Sequence, residues 1–178
     1  MEQVINQRSE SNFLAGKRVL VTGGAGFIGS HIIDQLMNHD VTSVVAIDNM
    51  VRGRPANLSA ALKDSRLQLV EGDIRDHLLM EDLVSKSDVV FHQAALRITH
   101  CAADPVEAFE VMGRGTFDLL QLCVKHKTQK VVAASSASIY GLAPEFPTTE
   151  AAAPYSDRTL YGGLKLFNEK LLRSFNDM

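Results

Sequence analysis

The sequence has no long hydrophobic run and no strong excess of one charge. Its net charge of −3 at pH 7 gives no reason to expect a nucleic-acid or membrane-surface partner. No apolar stretch approaches the roughly 18 residues that a membrane span requires. Residues 1–12 are polar and lack the apolar core of a signal peptide. We therefore expect no association with a membrane, and a cytoplasmic location.

Cysteine is also scarce, and Cys101 and Cys123 do not show the spacing of metal ligands. We expect both to be reduced residues, buried or on a helix face, rather than partners in a disulfide. The sequence therefore predicts no metal site.

A length of 178 residues, 46% of them hydrophobic and 22% charged, suits one globular α/β domain. Short Val- and Ile-rich runs alternate with helical periodicity from Lys17 onward, which is typical of parallel strands covered on both faces. This predicts a doubly wound, three-layer sheet in the order 3-2-1-4-5. Residues 1–16 are expected to form a tail and residues 17–178 the domain. The predicted strands are Arg18–Thr22, Ser43–Asp48, Leu67–Glu71, Asp88–His92 and Lys130–Ser135, and the predicted helices are Gly26–His39, His77–Val84, Asp104–His126 and Asp157–Asn176.

The most informative stretch is VLVTGGAGFIGS, which runs from Val19 to Ser30. Gly23, Gly26 and Gly29 follow a predicted strand and open a predicted helix. Such glycines allow a tight turn, a close approach of the backbone to a diphosphate and close packing of the helix on the strand. The free amides of the helix start, including those of Phe27 and Ile28, would face the anion. This pattern predicts a dinucleotide-binding site of the Rossmann type.

The second predicted strand ends in Asp48, followed by Asn49. A carboxylate at this position can accept hydrogen bonds from the adenosine ribose and would repel a 2′-phosphate, which favours NAD over NADP. Arg52 and Arg54 lie in the next loop, and either could approach the cofactor. A solvated loop charge is the simpler interpretation of both.

The loops after the third and fourth strands add further candidates. Asp73 and Ile74 would reach the adenine, although an aspartate here could instead cap the next helix. His92 is better interpreted as a hydrogen-bonded core residue than as a catalytic base. Small and polar residues after it would approach the cofactor, and three more in the following loop would face the substrate. These are Gln93, Ala94 and Ala95 for the cofactor, and Arg97, Thr99 and His100 for the substrate.

The fifth predicted strand opens into Ser136, and the last predicted helix carries Tyr161 and Lys165. Residues four apart share one face of a helix. A nearby ammonium favours the phenolate form of a tyrosine, which can then act as a base. A hydroxyl donor, a tyrosine and a lysine behind a dinucleotide fingerprint point to the oxidation of alcohols.

Taken together, the motifs TGGAGFIGS, GDIRD, HQAA, SSASIYG and YxxxK resemble those of the extended short-chain dehydrogenase/reductase family. The similarity is to its nucleotide-sugar epimerases and dehydratases, and it covers residues 17–178. It implies that Tyr161 is the acid/base, that Lys165 favours the phenolate and holds the nicotinamide ribose, and that Ser136 hydrogen-bonds the reacting sugar hydroxyl. NAD is the implied cofactor and a nucleotide-sugar the implied substrate.

Within the family that the sequence resembles, dehydratases and decarboxylases carry carboxylates at the positions occupied here by Ala137 and Ser138. This favours a 4-epimerase, which oxidises the sugar to a 4-keto form and reduces it again. A dehydratase, a reductase or a hydroxysteroid-type dehydrogenase of the same family stays open. So does a non-catalytic NAD-binding module.

Three features depart from the family pattern. Met112 occupies a usual asparagine position, and Leu164 a usual serine position. The chain also has about half the length of family members, so we expect the N-terminal half of a longer protein, without the substrate domain and inactive alone. The resemblance further implies a homodimer through the helices at residues 104–126 and 157–176.

Overall fold

A computed structural model describes the protein at residues 13–143, 145–152 and 158–178. Its strands are β1 (Arg18–Thr22), β2 (Ser43–Asp48), β3 (Leu67–Glu71), β4 (Val89–His92) and β5 (Lys130–Ala133). All pair in parallel, and they form one sheet in the order β3-β2-β1-β4-β5. The predicted order 3-2-1-4-5 is confirmed.

Helices cover both faces of this sheet. They are α1 (Phe27–Leu36), α2 (His77–Ser85), α3 (Ile98–Ala103), α4 (Pro105–Ala108), a π-helical turn (Phe109–Arg114), α5 (Gly115–Lys125) and α6 (Leu160–Asp177). Short 3-10 turns lie at Pro55–Leu58, Ala61–Lys63 and Ala137–Tyr140. Among the described residues, no helix is both long and apolar enough to cross a bilayer.

The alternation of side chains along β1 builds two cores. Val19 and Val21 pack with α1 and the 3-10 turns on one face. Leu20 packs with α2, the π-helical turn and α5 on the other face. Thr22, at the carboxyl end of β1, lies opposite Ile47 and His92. The carboxyl ends of the three central strands therefore meet at one edge of the sheet, where the loops that follow them can form a common site.

The predicted helix at residues 104–126 is present, but it is divided. Asp104 caps α4 by accepting a hydrogen bond from the amide of Glu107, and the π-helical turn interrupts the run before Gly115. A Cβ on Gly115 would lie 3.2 Å from Ile74, and one on Gly113 would lie 3.0 Å from the ring of Phe109. Both glycines therefore lie where an added side chain would press on a close neighbour.

Other boundaries differ from the prediction by a few residues. The α1 helix is shorter than predicted, and β4 and β5 omit Asp88, Ala134 and Ser135. The α6 helix begins at Leu160 because Thr159 caps it through the amide of Gly162. Its predicted start at Asp157 lies outside the described residues, as does most of the predicted tail, of which residues 13–16 form a turn.

The glycine turn after β1 depends on one unusual backbone conformation and one tight contact. Gly23 has a φ of +66°, a conformation that side chains other than glycine rarely adopt. A Cβ on Gly29 would lie 2.2 Å from the carbonyl oxygen of Gly23. The first turn of α1 therefore rests directly on the backbone of the glycine turn, and neither partner of this contact is a side chain that can move away.

Gly29→Ala should therefore destabilise the protein by about 3 kcal/mol, at the upper end of the cost of overpacking. Gly163→Ala in α6 is the matched control, because a Cβ there meets no atom of the described residues within 4 Å. It should stabilise the helix by up to about 1 kcal/mol. Urea unfolding measures both changes, and equal stabilities for the two variants would contradict the packing described here.

Candidate active site

A crevice of about 770 Å³ runs along the carboxyl ends of the strands. Its volume lies within the range of ligand sites. It is lined by most of the site residues predicted from the sequence: Gly23, Gly26, Phe27, Ile28, Gly29, Asp48, Asn49, Asp73, Ile74, Gln93, Ala94, Ala95, Arg97, Thr99, His100, Ser136 and Tyr161. The fold thus brings the candidate cofactor residues and the candidate catalytic residues into one cavity.

The start of α1 points into this crevice. The first hydrogen bond of the helix runs from the amide of Ser30 to the carbonyl of Gly26, so the amides of Phe27, Ile28 and Gly29 have no partner inside the helix. Phe27 and Ile28 are 78% and 59% exposed. These free amides and the positive end of the helix dipole suit an anion such as a diphosphate.

Asp48 lies beside the glycine turn and is buried. Its carboxylate accepts hydrogen bonds from the amide of Ala25 at 3.1 Å and from the amide of Met50 at 3.0 Å. Each carboxylate oxygen therefore has one backbone donor and retains a lone pair that can accept from a ligand hydroxyl.

The loop after β3 resolves an alternative that the sequence left open. Asp76 caps α2 through the amide of Leu79, whereas Asp73 lines the crevice. Asp73 pairs with Arg75 at 2.7 Å and accepts a hydrogen bond from Asn49. The guanidinium of Arg75 lowers the pKa of Asp73 to about 2, so this carboxylate stays ionised at neutral pH.

The predicted loop that holds Arg97, Thr99 and His100 is in fact the short helix α3, for which Arg97 is the N-cap residue. A helix of six residues is too short to produce a recognisable periodicity in the sequence. His100 lines the crevice and pairs with Glu107 at 2.7 Å. Glu107 also lies 3.6 Å from Arg75, so Glu107 connects α3 to the loop after β3 on this side of the crevice.

The three predicted catalytic residues lie at the other end. Ser136 lines the crevice and caps a 3-10 turn by accepting a hydrogen bond from the amide of Ser138 at 3.1 Å. Tyr161 also lines the crevice. Lys165 lies behind this lining, 5% exposed, and its ammonium donates to the carbonyl of Ala134 at 2.7 Å. Burial lowers the pKa of Lys165.

The ammonium of Lys165 lies 6.0 Å from the centroid of the Tyr161 ring. No carboxylate hydrogen-bonds to it among the described residues; its bonded partner is a neutral carbonyl. The positive charge beside the Tyr161 ring is therefore not neutralised by a hydrogen-bonded carboxylate of the described residues.

His92 is the core residue that the sequence predicted. Its Nδ1 lies 2.7 Å from the hydroxyl of Thr22, and its Nε2 lies 3.1 Å from the hydroxyl of Thr116. Thr116 donates to the carbonyl of Met112, so it must accept from Nε2–H, and Thr22 donates to Nδ1. Burial lowers the pKa of His92 to about 4. The imidazole is therefore neutral at pH 7.

Several lining residues were not among the predicted site residues. They are Ile47, Val51, Arg52, Gly53, Gly72, Leu96, Ile98, Val111 and Ser138. Most are apolar residues or glycines without a motif of their own. Gly72 and Ser138 carried a signal, because they lie in the motifs GDIRD and SSASIYG. Arg52 and Gly53 also did, because they follow Asp48 closely in a loop rich in charge and turn residues.

Comparison with known proteins agrees with this geometry. The model of the NAD-dependent epimerase/dehydratase family matches residues 19–178. The chain belongs to this family. UDP-glucose 4-epimerase 2 of Arabidopsis thaliana is 36% identical over 165 residues, which are 88% of this chain and 47% of that protein. UDP-glucose 4-epimerase of Azospirillum brasilense is 35% identical over 162 residues, 89% of this chain and 44% of the relative.

Two solved structures of epimerases share the fold. UDP-N-acetylglucosamine 4-epimerase of Methanobrevibacter ruminantium, in complex with UDP-N-acetylmuramic acid, matches with a TM-score of 0.83 and 32% identity over 92% of this chain and 51% of its own. UDP-glucose 4-epimerase of Bifidobacterium longum, in complex with NAD+ and UDP, matches with a TM-score of 0.81 and 34% identity over 88% and 48%. The chain spans about half the length of the relatives it matches.

The resemblance inferred from the motifs is thus confirmed, and NAD is confirmed as the cofactor of the family. The structure also shows that Met112, which departs from the family pattern, is buried with its sulfur 3.7 Å from the thiol of Cys101. The backbone carbonyl of Met112 accepts a hydrogen bond from the hydroxyl of Thr116.

The neutral state of His92 predicts a loss of stability in mild acid. An unfolded histidine takes up a proton below its usual pKa of 6.5, whereas the native residue does so only near 4. The unfolded state therefore binds more protons between these values, and stability falls as the pH drops from 6.5. The contribution of His92 between pH 7 and pH 5 is about 2 kcal/mol.

Urea unfolding at pH 7 and pH 5 measures this loss. His92→Gln is the control, since glutamine does not titrate, and its loss over the same interval should be smaller by about 2 kcal/mol. NMR of the native protein should show an unprotonated His92 ring at pH 5. A ring that is protonated there would rule out the neutral buried state.

Proposed function

We propose that the protein is an NAD-dependent nucleotide-sugar 4-epimerase, or the cofactor-binding half of one. The main support is the crevice, which has a diphosphate-binding turn and Asp48 at one end and Ser136 and Tyr161 at the other. The UDP-sugar 4-epimerases among its relatives favour the same reaction. Residues 17–178 would form the NAD-binding domain.

The residues present fit NAD. The first-turn amides of α1 are free for the diphosphate, and Asp48 has lone pairs free for the adenosine ribose. Asn49, Asp73 and Ile74 would surround the adenine, and Gln93, Ala94 and Ala95 would line the path to the nicotinamide. Tyr161 and Lys165 would hold the nicotinamide ribose. When bound, NAD would supply the hydride acceptor for oxidation at C4 of the sugar, and its reduced form would supply the hydride donor for the reduction.

Tyr161 would carry the proton transfers. Its phenolate oxygen takes the proton of the 4-hydroxyl and gives it back after the keto sugar has turned over in the site. The buried ammonium of Lys165, 6.0 Å from the ring centroid, favours the negative form. Ser136, which lines the crevice, would hydrogen-bond the same hydroxyl and hold it against Tyr161.

The residues around Ser136 favour epimerisation over dehydration. Expulsion of water needs a carboxylic acid near the reacting carbon, but Ala137 and Ser138 offer none. The two aspartates of the crevice line the end near the glycine turn, where Asp73 is held by Arg75. A non-catalytic NAD-binding module would need the glycine turn and Asp48 but not Ser136, Tyr161 and Lys165 together.

Other parts of the proposal concern assembly and location. Arg97, Thr99 and His100 would meet the nucleotide-sugar at the rim, and the rest of the sugar site would come from further polypeptide. A homodimer through residues 104–126 and 157–176 is supported by exposed apolar side chains there, namely Val106, Phe109, Val124, Leu160 and Phe167. A cytoplasmic location stays a prediction.

The test is to incubate the protein isolated from its source, and the 178-residue chain alone, with a panel of UDP-, GDP- and dTDP-sugars. The chain alone should bind NAD without turnover. The isolated protein should epimerise at least one sugar at C4 without net NADH. Net NADH would indicate a dehydrogenase, loss of water a dehydratase, and NAD binding without turnover in both samples a non-catalytic module.

Tyr161→Phe in the active protein should lower kcat by at least about a hundredfold, as expected when a general acid/base is lost. NAD binding should persist, because the amides of α1 and Asp48 are unchanged. Tyr140→Phe is the matched control, since Tyr140 does not line the crevice, and it should retain activity. Full activity of Tyr161→Phe would eliminate the proposed mechanism.

A further inference from the structure

The loop after β2 folds back onto the glycine turn through one residue, Ala25. The amide of Ala25 donates to Asp48 at 3.1 Å. Its carbonyl accepts from the amide of Arg54 at 3.0 Å and from the side chain of Asn57 at 2.8 Å. The backbone amide and carbonyl of this one residue are thus bonded to Asp48 and to the loop that follows it, so the loop and the turn hold each other in position.

Gly53 lies at the centre of this loop, where it is buried against Asp48. A Cβ built on Gly53 would lie 2.4 Å from Oδ1, 2.5 Å from Cγ and 2.7 Å from Oδ2 of that carboxylate. Those distances are well inside van der Waals contact. The amides of Ala25 and Met50 bond the two oxygens, so the carboxylate is confined by two backbone donors and by the bare Cα of Gly53.

We propose that Gly53 is a specificity-determining residue that selects NAD over NADP by fixing the position of the Asp48 carboxylate. This inference rests on the proposed binding of the adenosine ribose by Asp48. The ribose hydroxyls can donate only to carboxylate oxygens held at the right position, and a 2′-phosphate is repelled by a charge held there. The aspartate alone would then not be sufficient, because its position is set by the residue packed against it.

The effect of a side chain at position 53 follows from what it would meet. The atoms in its way belong to the end of an aspartate side chain, which can rotate, and not to the backbone. An added methyl group should therefore displace the carboxylate from Ala25 and Met50 while the fold persists. Arg52, exposed and lining the same crevice, would then contribute more of the local charge.

The experiment is to measure the Kd values of the 178-residue chain for NAD and NADP by titration calorimetry. Gly53→Ala should weaken the binding of NAD by about tenfold, as expected for the loss of one hydrogen bond to a charged group, while the Kd for NADP is unchanged or lower. The NADP-to-NAD ratio of Kd values should fall by the same factor. Ser59→Ala, an exposed change in the same segment, should leave the ratio unchanged.

A merely structural role for Gly53 would weaken both cofactors equally, and an unchanged ratio would overturn the inference. Asn57→Ala provides a second variant without added bulk, because it removes only the side-chain bond to Ala25. Asn57→Ala should also lower the NADP-to-NAD ratio of Kd values, but by a smaller factor. If Gly53→Ala does not fold and Asn57→Ala leaves the ratio unchanged, the inference is overturned as well. If the wild-type chain binds no NAD, the proposed function fails and this inference fails with it.

Discussion

The hydrogen bonds of His92 join the two ends of the crevice through the interior of the protein. Thr22, on one side of the imidazole, also accepts from the amides of Gln93 and Ala94 and precedes the glycine turn. Thr116, on the other side, accepts from Asn168 of α6, three residues after Lys165. Because these bonds are buried, a shift of one member leaves another polar group unpaired, which is costly. The strand that begins the cofactor site and the helix that carries the catalytic pair are therefore held at a fixed separation.

Charge is distributed along the crevice in a way that suits a dinucleotide. Asp48 and the free amides of α1 place a carboxylate and a positive potential at one end, and Lys165 places a buried ammonium behind the other end. The ammonium is bonded to a neutral carbonyl, and within the described part of the chain no carboxylate in contact with it cancels its field at Tyr161. Burial of the lysine costs free energy and lowers its pKa, a cost that is typical of functional sites.

The strands and the principal site residues could be predicted because each depends on a local pattern. Apolar runs identify β1 and β2, and the glycine spacing identifies the turn between β1 and α1. The short helix α3 and the π-helical turn could not be predicted, because neither has a local period. The turn is followed by Gly115, which packs against Ile74, a residue 41 positions earlier. Lys165 lies behind the lining of the crevice, and its spacing from Tyr161 in the sequence does not reveal this depth.

Gly29 and Gly53 show that the same residue type can serve two purposes in one site. The missing side chain of Gly29 leaves room for a backbone carbonyl, so this contact determines whether the turn and α1 can pack at all. The missing side chain of Gly53 leaves room for a carboxylate that could otherwise rotate, so this contact determines where a charge lies. A side chain added at a glycine that packs against rigid backbone lowers stability. A side chain added at a glycine that packs against a movable side chain alters ligand selection instead. The stability of this crevice and its selection of a ligand can therefore vary independently, although each depends on the absence of one Cβ atom, the first at Gly29 and the second at Gly53.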